Sequence, residues 1–169
     1  MSLVLRNLQR VVPLRRARLR HDVELLRRIA RIEKFDLGLV CVDNRRIQRI
    51  NSIYRRINMP TDVLSFPFYE ASCCDNLTSL TSDLPRDELN LGDIFLGVEY
   101  ILTQCQESSE DFYSNLTVIT LHGICHLLGY KHGSDDKWIE MFQKEKHILS
   151  EFNRLTGSRL EPLTTRFSS

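Results

Sequence analysis

Eleven residues constrain this 169-residue chain more than any others: His122-Gly-Ile-Cys-His126-Leu-Leu-Gly129-Tyr-Lys-His132, which holds three of its five histidines. His122 and His126 are four apart, so on a helix both imidazoles project from one face. Gly129 ends that helix in the left-handed conformation that glycine tolerates. The chain can then reverse and bring His132 back over the same face. The window therefore asks for a long helix followed by a glycine turn, with a metal site built on both. Three neutral imidazoles at about 2.0–2.1 Å form a zinc site with an open fourth position, the arrangement of a catalytic rather than a closed structural ion. One Zn2+ is expected, although nickel would accept the same nitrogens. Cys125 is a possible fourth soft ligand; the competing reading is a small buried side chain. His21 and His147 have no such company and read as ordinary helix-face residues. The spacing is also that of the metzincin proteases, which place a glutamate after the first histidine as general base. Here that position is Gly123, which argues against a peptidase.

Around the window, helical and strand signals mix without a steady βαβ alternation. Val4–Leu8 reads as a first strand. Arg15–Lys34 reads as a helix with Leu19, Val23, Leu26 and Ala30 on one face and Arg20, Arg27, Arg28 and Arg31 on the other. Leu37–Val42 is a buried strand. Asp43 or Asn44 caps a second helix, with Ile47, Ile50, Tyr54 and Ile57 in phase and Pro60 closing it. Asp62–Phe68 is a strand whose Pro67 places it near an edge or bend. Residues 70–90, with Cys73 and Cys74, form an exposed loop. Asp93–Val98 is a strand and Tyr100–Gln106 a short helix. Ser109 or Asp111 opens the long helix through Leu128. Ser134 or Asp135 caps the last helix, along which Trp138, Phe142, Glu145, Leu149 and Phe152 run until Gly157. The expectation is an α+β fold: one small mixed sheet of about four strands packed with about five helices. Residues 1–160 form one domain and 161–169 a loosely held tail.

Five cysteines, an odd number without CxxC pairs, argue against a disulfide framework and for a reducing compartment. No apolar run reaches transmembrane length. The net charge of +1 hides an asymmetry: residues 1–60 carry 15 Lys and Arg against 5 Asp and Glu, and the rest carry 8 against 17. A one-sided basic region suits a phosphate backbone, because each neutralised phosphate releases counterions. Arginines on amphipathic helices are equally often merely solvated.

The segment HGICHLLGYKH resembles the signature of the YbeY family of rRNA-processing endoribonucleases. So do Asn51-Ser-Ile-Tyr54-Arg55, Pro60-Thr-Asp-Val-Leu-Ser-Phe-Pro67 and Leu91-Gly-Asp-Ile94, in the family's order. The resemblance covers about residues 1–155 and is greatest to the mitochondrial members. It implies a single-strand-specific, zinc-dependent endoribonuclease that matures small-subunit ribosomal RNA and associates with the small ribosomal subunit, with no membrane partner. It makes His122, His126 and His132 the metal ligands, His122 and Arg55 the catalytic residues, and a mitochondrial location the expectation; cytoplasm or nucleus is the alternative. Lys131 stands where many members have Asp. Taken alone, Arg55 reads as one of many surface arginines; the resemblance around Pro60–Pro67 singles it out, and guanidinium, which grips phosphate with two parallel hydrogen bonds, suits the role the resemblance implies. Asp62, Asp93 and a zinc hydroxide remain open as general base, and Phe66, Phe68 and Tyr69 as stacking surfaces for unpaired bases. The rival class is a non-catalytic ribosome-assembly factor with a structural zinc.

Overall fold

The computed structural model describes residues 3–69, 89–131 and 133–164. His132, Cys73, Cys74 and the expected loop up to residue 88 lie outside them. Among the described residues the fold is α+β, with four strands in one mixed sheet and five helices, as the sequence suggests. In chain order these are β1 (Leu3–Asn7), α1 (Arg16–Ile29), β2 (Asp36–Val42), α2 (Asn44–Arg55), β3 (Val63–Pro67), β4 (Asn90–Gly97), α3 (Val98–Ser108), α4 (Phe112–Leu127) and α5 (Asp135–Thr156). No described helix is long and apolar enough to cross a membrane.

The sheet order is β1-β2-β4-β3. β1, β2 and β4 run parallel; β3 closes one edge antiparallel to β4, with Ser65 opposite Ile94. A parallel centre must be covered on both faces, and period-2 alternation in β2 supplies both. Leu37, Leu39 and Cys41 enter the main core, while Val40 and Val42 join the smaller cluster of Ile47, Ile50, Leu64 and Phe66 beneath α2. In β4 the phase is reset. A register shift opposite Asp36 and Leu37 leaves Leu91 as an extra residue, so Leu91, Ile94 and Leu96 all reach the main core. Gly92 makes this possible: its φ is +132°, and a Cβ there would stand 2.3 Å from the Phe66 carbonyl oxygen.

α4 is buried along most of its length, its polar Asn115, Thr117, Thr120 and His122 included, which only a helix inside a core can be. It packs on β3 and β4 and against α1, α3 and α5. Asp111, not Ser109, caps it, accepting from the Ser114 amide and hydroxyl, both at 2.9 Å. Ser109 is instead the left-handed end of α3. Burial pushes the Cys41 thiol up to about 12; with Cys105 and Cys125 also buried, all three are inert packing groups.

Several boundaries and one side chain differ from the expectation. α1 stops at Ile29, not Lys34, because Arg31 turns left-handed (φ 60°) and returns Ile32 to the core. Arg27 leaves the solvated face: it is 2% exposed, pairs with Glu24 at 2.8 Å and donates to the Phe35 carbonyl at 2.6 Å. α2 ends through the left-handed Arg56, before Pro60. Past Leu160 the chain is not loose up to Thr164, since Leu163 and Thr164 are buried.

The Ser114 hydrogen bonds hold the Asp111 carboxyl below the usual carboxylate range. A depressed folded pKa adds stability that is present above the ordinary value and lost as pH falls through the folded one. Asp111→Ala is expected to cost about 1 kcal/mol at neutral pH. Urea unfolding should show this gap shrinking below about pH 4; a gap constant to pH 2 would refute the capping account.

Candidate active site

The last two turns of α4 place His122 and His126 one above the other, their rings 4.6 Å apart and nearly perpendicular. Each ring is pinned through Nδ1. His126 Nδ1 lies 3.0 Å from the Tyr130 carbonyl oxygen, and a carbonyl can only accept, so that nitrogen carries the proton. The turn after the helix supplies this carbonyl: Gly129 has φ 100° and the Tyr130 amide donates back to Cys125 O at 3.0 Å. His122, 4% exposed, places Nδ1 3.2 Å from Glu145 Oε1 on α5. Glu145 is fully buried, and its other oxygen accepts from the Thr164 hydroxyl. The Trp138 indole fastens the Thr164 carbonyl at 3.2 Å.

With both Nδ1 atoms donating, both Nε2 atoms are acceptors, and they face each other at 3.1 Å. Nitrogens bound tetrahedrally at about 2.0–2.1 Å to one ion stand about 3.3 Å apart. Carboxylate and carbonyl acceptors behind the rings are how proteins orient metal-binding histidines. The donor set therefore fits a metal ion. Among the described residues no three His, Cys, Asp or Glu side chains form such a group; the third expected ligand, His132, lies outside them. Cys125 is fully buried in the main core.

The pair forms part of a cleft of about 720 Å³. β3 and the residues before it, the end of α2, Tyr130, Lys131 and Leu163 make up the rest of its lining. The cleft gathers Arg55, Asp62 and Phe66 with His122 and His126. Arg55 is exposed, and no ion pair among the described residues engages it. Phe66 is wedged edge-on between Tyr54 and Phe95 at 5.0 and 5.6 Å. Asp93 is not brought in. It pairs with Phe66 in register, one position out of phase with core-facing Ile94, and so lies on the α2 side of the sheet, its carboxylate folded over Gly38. Phe68 and Tyr69 pack on one another at 4.9 Å beyond β3, outside the cleft lining.

The sequence reading missed Glu145, Thr164 and Ser65. Glu145 had a signal, since it is a carboxylate on the buried stripe of α5 with Met141, Ile148, Leu149 and Phe152. Such a group needs a buried partner. Thr164 and Ser65 had none. Ser65 lies on β3 and donates to the Gly123 carbonyl at 3.3 Å. Gly123 turns toward the sheet, where a Cβ would sit 3.1 Å from Ser65 Oγ and 3.2 Å from Ile94.

Fold and site define a small α+β protein with a pinned imidazole pair in a cleft that also holds an arginine. The profile of the family described as Endoribonuclease YbeY matches residues 9–153. The human protein of that name is 58% identical over 164 residues, spanning 97% of this chain and 96% of the relative. That of Clostridium beijerinckii is 37% identical over 131 residues, covering 73% and 78%. A solution structure from Thermotoga maritima shares the fold with a TM-score of 0.53 at 19% identity, covering 96% of this chain and 99% of that one. The chain belongs to the YbeY endoribonuclease family.

Position 123 offers a direct check on the protease comparison. Gly123→Glu would force a carboxylate between Ser65 and Ile94, at a cost of more than about 3 kcal/mol. Thermal unfolding should show a large loss of Tm and peptide substrates no turnover; a stable variant that cleaves peptides would overturn this assignment of the glycine.

Proposed function

We propose that this chain is a zinc-dependent endoribonuclease that cuts single-stranded RNA, with small-subunit ribosomal RNA as its substrate and the small ribosomal subunit as its place of work. The observation that carries the reading is the convergence of the two Nε2 atoms in a cleft that also holds Arg55. The family's name supplies the reaction; the site chemistry says how these residues would serve it. His122 and His126 would hold the ion, with His132 as third ligand. A bound zinc supplies Lewis-acid polarisation of a phosphoryl oxygen and makes water more acidic near neutral pH.

The chain's own groups do the rest. Glu145 and the Tyr130 carbonyl keep both rings in the tautomer that presents Nε2. Arg55, uncommitted among the described residues, receives phosphate oxygens through two parallel N–H donors and stabilises the charge they gain as the bond breaks. Asp62 lines the cleft and Asp93 does not, which favours Asp62 over Asp93 as the carboxylate that takes a proton. The exposed Tyr54 ring, backed by Phe66, offers an apolar face to an unpaired base, which a duplex would not present. An open cleft at the imidazole pair, with Cys125 in the core, speaks against a closed structural zinc. Mitochondria are the proposed compartment, mostly on the resemblance to the mitochondrial members and in second place on the arginine-rich, acid-free stretch from Met1 to His21. Leu3 and Leu5 are core residues, so the reading includes retention of β1.

The test is cleavage of a labelled RNA containing single-stranded and duplex parts. Cuts confined to the unpaired part are expected. His126→Ala should lose both bound zinc, measured by elemental analysis, and all cutting. Arg55→Ala should keep the zinc and lose about 100-fold or more in rate. Full turnover by either variant would overturn its assigned role.

Thr164 tests the orientation of His122 separately. Thr164→Val removes the hydroxyl that fixes Glu145 and should weaken zinc affinity about 10-fold or more against a chromophoric chelator. Thr164→Ser should restore it; equal affinities in the two variants would remove Thr164 from the site.

A further inference from the structure

The outer face of α2 carries chemistry that the cleft does not use. From Asn44 to Arg56 the chain has five arginines and no acidic residue. Arg45, Arg46, Arg49, Arg55 and Arg56 are all exposed, and no ion pair among the described residues engages them. Positions 45, 49 and 52 follow at spacings of four and three, which puts Arg45, Arg49 and Ser52 on one line along the helix, with the left-handed Arg56 just past its end. That line runs opposite the buried Ile47 and Asn51 and is roughly 10 Å long at 1.5 Å per residue.

The line is not flat. Arg45, Gln48, Arg49, Ser52, Ile53 and Asn58 enclose a second hollow of about 470 Å³. Its polar lining is guanidinium, amide and hydroxyl, with no carboxylate. Gln48 donates to the Asn58 side-chain oxygen at 3.1 Å and so ties the hollow's far wall to the helix. Two residues further along α2, Tyr54 and Arg55 line the cleft itself. The hollow and the cleft share α2 but no lining residue; of the two cleft residues on the helix Arg55 is the nearer in angle to the arginine line, so a chain leaving the cleft reaches the hollow by passing round the helix beside Arg55.

We propose that this face is an exosite for the RNA backbone, resting on the endoribonuclease reading above. A single strand whose scissile phosphate occupies the cleft runs out along α2, and Arg45 and Arg49 neutralise phosphates beyond the reaction centre. Guanidinium groups about 6 Å apart on successive turns of a helix recognise a polyanion by charge and not by base. The contacts add affinity and leave the chemical step alone, because they touch no reacting atom.

The experiment compares wild type with Arg45→Ala/Arg49→Ala and Arg45→Lys/Arg49→Lys, each as zinc-loaded full chain. Anisotropy of a labelled 2′-O-methyl single strand of about 20 nucleotides gives affinity across a salt series. Cleavage of ordinary RNA of about 20 and about 4 nucleotides gives KM and kcat. The alanine pair should bind the long strand about 10-fold more weakly at low salt. Its log–log salt slope should fall by about 1.4, or 0.7 for each lost phosphate contact. KM should rise for the long RNA only, with kcat kept for both, and the lysine pair should retain the slope. An alanine pair that binds with wild-type affinity and slope, beside a wild type that binds and cuts, overturns the exosite alone and leaves these arginines merely solvated. An equal loss of kcat on both RNAs also overturns it. A wild type that neither binds nor cuts RNA overturns the exosite and the nuclease reading together.

Discussion

The close approach of α4 to the β3–β4 edge is the contact on which the rest depends. Gly123 permits it: with no side chain there, the helix backbone comes near enough for Ser65 to reach the Gly123 carbonyl and for Ile94 to pack beneath. A helix held at that distance shares one cleft with the edge strand and the arginine end of α2. Gly92 does the matching work within the sheet, where the Phe66 carbonyl leaves no room for a Cβ. Two glycines at close approaches thus set how deep the cleft sits and what faces it.

Behind the imidazoles the interior is polar where it has to be. A fully buried carboxylate costs several kcal/mol unless its oxygens are engaged, and Glu145 has His122 on one oxygen and Thr164 on the other. Thr164 is held in turn by Trp138, and the chain leading to it by Asn153, which both donates to and accepts from the backbone of Leu160 at 3.0 and 2.9 Å. The last described residues therefore belong to the site. Their contribution is orientation: a ring that cannot rotate offers the same nitrogen at all times.

The sequence carried much of this. Period-2 and helical spacing located the strands and helices, and Gly129 and Gly157 stand where helices end. Misread boundaries share a cause: left-handed residues other than glycine at Arg31, Arg56 and Ser109 end or follow helices without a local signal, because tertiary packing and not propensity demands the turn. The histidine pair was legible because its chemistry is written at fixed spacing on one helix. Arg55 was legible by family likeness, since among so many exposed arginines nothing local marks it. Thr164 was illegible, as its partner lies 19 residues away on another element. Asp93 misled because a one-residue phase decides which side of a sheet a carboxylate occupies.

α4 has one more consequence, for motion. Helices buried on every side open only with the whole molecule, and their amides exchange with solvent at the slowest, global rate. Here the buried α4 carries the histidines, whereas β3 is an edge strand and the turn from Arg56 to Asp62 is exposed to half-buried. Accommodation of differently shaped strands must then come from the edge and the turn. The imidazole pair stays a fixed reference against which they move.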